Sequence, residues 1–203
     1  MRRAAAAAAI ALCLGAAPNR PTPRPPESGE EEHAKPATRF AAPAPEIRKL
    51  GPLVGSWNLV EHWAEPARFK RGSYEGEPGP GGSGVLTVRP GPGDFSLVGD
   101  YEARNPMGHV TAVLLLSWDP NRRLYELEEI HSAFPGVLRL TGRFEKGDLV
   151  FRGQDARTGS ARSVLLVWKG LGQDSWNSSA SEAGAGGRME PVVDTALLRS
   201  SPR

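Results

Sequence analysis

Leu53-Val54-Gly55-Ser56-Trp57-Asn58-Leu59 places a Gly-x-Trp at the start of the first of many short, evenly spaced apolar segments. Carried on to Trp63, the stretch sets Leu53, Trp57, Leu59 and Trp63 among polar residues, the period of a half-buried strand. It predicts a closed antiparallel barrel with one end shut by a buried tryptophan. Gly55 has no side chain, so neighbouring backbone can approach closely where this strand crosses the barrel floor.

Downstream, Gly, Pro, Asn and Asp punctuate the chain at strand-like intervals. Strands are expected at 53–63 and near 84–89, 94–103, 109–118, 123–131, 137–144, 148–154, 161–169, 174–181 and 188–198. Residues 64–82 read as a long Gly/Pro-rich loop. Asp119-Pro120-Asn121, Phe134-Pro135-Gly136 and Lys146-Gly147-Asp148 carry turn chemistry between the strands. No apolar period of 3.6 residues is sustained over helix length between 53 and 199. The domain, 46–199, is therefore expected to be all-β: an up-and-down antiparallel barrel of about nine or ten strands, which leaves no open edge. One short helical turn at Pro45–Leu50 precedes it.

Alternation assigns side chains to faces. In 137–144, Leu138, Leu140, Gly142 and Phe144 share one face and must point inward, leaving Arg139, Thr141 and Arg143 outside. A short turn at Pro135 ties this strand to the one before it. Glu126 and Glu128 then lie beside Arg139 and Arg143 as outer cross-strand pairs. Tyr125, Leu127, Glu129 and His131 face the lumen, so a carboxylate and an imidazole line an otherwise apolar wall. The functional reading is a ligand pocket lined by Tyr125, Glu129, His131, Leu138, Leu140 and Phe144. The plainer reading leaves Glu129 and His131 half-solvated at a polar rim. Trp118, Trp168 and Trp176 read as barrel filling, since large apolar rings dominate core energetics.

The chain's ends carry targeting features. Met1-Arg2-Arg3 followed by apolar Ala4–Ala17 reads as a signal peptide over 1–17 and implies export to the periplasm or beyond. That stretch is too short to cross a hydrocarbon core of about 30 Å as a helix. The single cysteine, Cys13, lies inside it; a lipid anchor there is disfavoured because Leu12 precedes it, and membrane contact is otherwise expected only through the signal. Residues 18–45 are rich in proline and include Glu30-Glu31-Glu32, the composition of a solvated tether. Residues 200–203 read as a disordered tail. The formal charge of +2 resides in the ends: residues 46–199 hold 18 Lys+Arg against 19 Asp+Glu. No basic stripe marks a nucleic-acid partner.

Catalytic and metal motifs are missing. The four histidines, His33, His62, His109 and His131, have no local metal-site spacing, and no cysteine lies downstream of Cys13 to help. His109 reads as a turn residue, and His62 points away from its neighbour Glu61. No Gly-x-Ser-x-Gly elbow occurs, and Gly79–Gly84 lacks the strand–loop–helix context of a phosphate cradle. No catalytic residue, metal or cofactor is assigned.

Leu50-Gly51-Pro52-Leu53-Val54-Gly55-Ser56-Trp57 after a turn of helix, with Leu197-Leu198-Arg199 at the end, resembles the lipocalin/calycin group of barrels. It is closer to a bacterial domain family of unknown function that opens with Leu-x-x-Leu-Val-Gly-x-Trp. The resemblance covers about 46–199. It implies a small apolar cavity for a lipid-like or pigment-like molecule, and a late basic residue, Arg199 or Arg188, packed over the Trp57 indole. Haem-binding nitrobindins are similar but use a late-strand histidine, and none follows His131 here. The disulfides and the Thr-Asp-Tyr motif of transport lipocalins are also missing. The expected function is binding of a small apolar or amphipathic ligand. The alternatives are a filled accessory barrel, or an enzyme using His131 as general base beside Glu129.

Overall fold

In the computed structural model, which describes residues 42–64, 81–157, 159, 161–183 and 187–201, ten strands close into one antiparallel barrel. The signal segment, Cys13, most of the tether, loop 65–80 and residues 202–203 lie outside the described residues. The strands are β1 (Gly55–Trp63), β2 (Gly81–Pro90), β3 (Ser96–Asn105), β4 (Gly108–Asp119) and β5 (Leu124–His131), then β6 (Val137–Glu145), β7 (Asp148–Asp155), β8 (Arg162–Lys169), β9 (Ser175–Ala183) and β10 (Met189–Arg199). Each pairs with its sequence neighbour, and β1 pairs with β10 to close the ring. A short helix, α1 (Pro45–Lys49), and a 3-10 turn, Gly51–Leu53, precede β1.

Local chemistry explains these boundaries. Pro45 begins α1, Glu46 sits in its first turn and Arg48 and Lys49 in its last, matching the helix dipole. Between β6 and β7, Lys146 and Gly147 both adopt positive φ (52° and 96°), the two-residue turn whose twist suits a hairpin. At the β4–β5 turn, Asp119 Oδ1 accepts from the amides of Asn121 (2.8 Å) and Arg122 (3.1 Å).

Four expectations need correction. Leu53 belongs to the 3-10 turn, so β1 starts at Gly55. Gly81 and Gly82 belong to β2 rather than to the preceding loop, because they pair with His62 and Glu61. His109 is a strand residue whose Nε2 lies 2.9 Å from Glu102. On the outer face, Glu128 binds Arg139 as expected (2.7 Å), but the register sets Thr141 opposite Glu126. Arg143 therefore turns to Glu145, and Glu126 to Arg122.

The floor is closed from both termini. Leu50, Leu53 and Trp57 are buried together, and the Trp57 Nε1–H donates to the Leu53 carbonyl at 2.8 Å. Arg199, at the end of β10, lies 4.2 Å over the Trp57 ring and donates to the carbonyls of Val54 (3.0 Å) and Pro52 (2.7 Å), and through Nε to Gln173. Gly55 adopts φ +139°, and a side chain there would run into the Arg199 guanidinium. Of the two basic residues the resemblance offered, Arg199 is the one over the indole.

Candidate functional site

Strand period distributes the lumenal side chains by depth. In β1, Trp57 and Leu59 lie toward the floor, and Glu61 and Trp63 lie toward the opposite end. In β5, Tyr125 and Leu127 are deep, and Glu129 and His131 stand near the opening. Between floor and opening lies a cavity of about 440 Å³. Leu59, Leu86, Leu127, Leu138, Leu140 and Leu166 form much of its wall, with Trp168 and Trp176 beside them.

The polar residues gather at the opening in two sets. Glu61, only 5% exposed, accepts from Tyr101 O–H through Oε1 (2.5 Å) and from Trp63 Nε1–H through Oε2 (2.9 Å). Burial raises the Tyr101 pKa, and the Glu61 charge adds to the shift, so the phenol remains a donor. Gly82 faces Glu61 across the ladder, and a Cβ there would meet Oε2 at 2.5 Å and the Asn105 Cβ at 2.8 Å. Gly82→Ala is therefore expected to push the carboxylate off its two donors and cost about 1–3 kcal/mol, as overpacking does. Urea unfolding measures this; a loss within error of zero would show that the carboxylate is not confined.

Arg157 organises the second set from the loop after β7. Asp155 Oδ1 accepts the Arg157 amide (2.9 Å), which folds the side chain back over the opening. Its Nε and Nη2 donate to the two Asp155 oxygens (3.0 and 2.9 Å), and its Nη1 donates to Glu129 (3.0 Å). The side chain is 8% exposed and stacks 5.0 Å over Phe134. Burial alone would raise the Asp155 pKa, but the Arg157 hydrogen bonds and charge outweigh it and hold the carboxyl below its usual value. Nearby, Arg162 pairs with Glu182 at 3.3 Å.

His131 closes this side. Its Nδ1 accepts the Ala133 amide at 3.0 Å, so Nε2 carries the proton of the neutral ring. Burial lowers its pKa; Glu129 opposes that shift and Arg157 reinforces it. The ring is a neutral N–H donor at pH 7.

The cavity gathers Glu129, His131, Leu138 and Leu140, but not the other two residues assigned to it. Tyr125 is at the floor, where its hydroxyl donates to the Glu46 carbonyl (3.0 Å); burial, then the Glu46 charge, pushes its pKa up to about 12. Phe144 packs against Tyr125 at 5.7 Å and is 39% exposed, so it does not share the inward burial of Leu138 and Leu140. Both residues lie one or two pleats past the cavity, since inward facing says nothing about depth. Glu61, Tyr101, Asp155 and Arg157 were not anticipated. Glu61 carried a signal, because alternation with Trp57, Leu59 and Trp63 turns it inward. Arg157 is in a loop and carried none. Among the described residues, no three His, Cys, Asp or Glu side chains are arranged to hold a metal ion.

Comparison with known proteins supports the architecture. No family model matches the chain, and no curated protein matches it. Among solved structures, the crystal structure of Rv2717c from M. tuberculosis is similar, with a TM-score of 0.50 at 14% identity, covering 78% of this chain and 99% of that one. At that identity the likeness shows a shared barrel fold.

Proposed function

We infer that the barrel binds a small, largely apolar or amphipathic molecule in its lumen, without catalysis. The observation that carries this reading is the cavity of about 440 Å³ with leucine walls and a few convergent polar groups. Small-molecule sites have this size and lining, about 300–1,000 Å³. His131 offers an N–H rather than a free lone pair, which favours binding over general-base chemistry. The open lumen likewise favours binding over a filled accessory barrel. The signal-like Met1–Ala17 segment supports a role outside the cytoplasm.

Trp63, Trp168 and Trp176 line the cavity, so tryptophan emission reports occupancy. Saturable quenching by a fatty acid, isoprenoid or flavin-like compound is expected. A bound ligand at a hundred times its Kd is expected to add about 2.7 kcal/mol of stability. If no compound of these classes quenches or stabilises, and native mass spectrometry finds no co-purified molecule, the reading fails.

A further inference from the structure

Resting on that reading, we propose that the opening selects a ligand with a cationic head, an ammonium on an apolar body, and that Glu61 is its anchor. The two guanidiniums among the described lining residues, Arg157 and Arg162, are already engaged. Arg157 has Nε, Nη1 and Nη2 occupied by two carboxylates, and Arg162 pairs with Glu182. A ligand carboxylate finds no unengaged cation among the described lining residues.

Glu61 is in the opposite situation. It is nearly fully buried and lines the cavity, yet both its hydrogen-bond partners, Tyr101 and Trp63, are uncharged. Among the described residues no cation pairs with it; a buried carboxylate so placed is costly, and a cation arriving with the ligand removes that cost. Each oxygen keeps acceptor capacity beyond its one internal bond. The two donors are themselves aromatic side chains lining the opening, and aromatic faces attract ammonium groups. Gly82 leaves the space in which the carboxylate lies.

The test is a matched series on the folded protein at pH 7: decylamine, decanol and decanoate at submicellar concentration, followed by calorimetry. Decylamine is expected to bind about tenfold more tightly than decanol and more tightly still than decanoate, tenfold being about 1.4 kcal/mol. Glu61→Gln is expected to bring decylamine to within about threefold of decanol, because it removes the charge from a side chain of the same length. Decanoate binding as tightly as decylamine would overturn the proposal, as would an undiminished amine preference in Glu61→Gln. If that variant does not fold, the wild-type series decides alone. Decanol bound without amine preference sinks this inference only; no binding by any of the three sinks the ligand-binding reading with it.

Discussion

Arg157→Ala is expected to cost about 3–5 kcal/mol at pH 7, the usual loss when one partner of a buried ion pair is removed. The guanidinium is 8% exposed and bridges Asp155 and Glu129, so its removal strands two carboxylates near the opening. The pH dependence has a definite sign. In the wild type the Asp155 pKa is depressed, so its stabilising contribution is complete above the unfolded value and lost as pH falls through the folded one. In the variant only the amide of residue 157 still opposes burial of Asp155, so the ionised form is disfavoured relative to the wild type. The penalty is then largest at neutral pH and shrinks below about pH 5, so the gap between variant and wild type closes on acidification. Urea unfolding at several pH values measures it; a gap constant with pH would refute the ion-pair account. The triple change Arg157→Met, Asp155→Leu, Glu129→Leu is expected to recover most of the loss, since apolar replacement of a whole buried network is often neutral or better.

Arg199→Ala is expected to be the next most damaging change, by about 2–4 kcal/mol. The side chain covers the Trp57 face and satisfies carbonyls of Pro52, Val54 and Gln173, joining the N-terminal turns to the β8–β9 turn and the last strand. Losing it uncovers the floor and frees three carbonyls together. For a domain of this size each kcal/mol shifts Tm by about 2–4 °C, so a fall of about 4–16 °C is expected in calorimetry. Arg199→Lys should rescue little, because an ammonium cannot present a planar fork to several acceptors while stacking on an indole. Full rescue by lysine would mean that charge alone holds the floor.

Much of the barrel was legible because strand period is local. The alternation around Trp57 and the turn residues at Asp119 and Gly147 act over two to four positions, and they marked strands and faces directly. The pairing of Glu128 with Arg139 also followed from a short connection. Depth was less accessible. Tyr125 and His131 share one face of β5 yet lie at opposite ends of the barrel, where one is held by α1 and the other stands at the opening.

By itself, the sequence determined that the chain forms strands, which residues turn inward, and that Gly55 and Trp57 mark the floor. These follow from periodicity and from the few residue types that tolerate turns and close approach. Only the tertiary structure decided that the ring closes with ten strands, that Arg199 covers Trp57, and that Glu61 meets Tyr101 while Arg157 takes Glu129 and Asp155. Arg199 reaches back as much as 147 positions, to Pro52, and such contacts form through a closed hydrogen-bonded ring whose register no local pattern encodes.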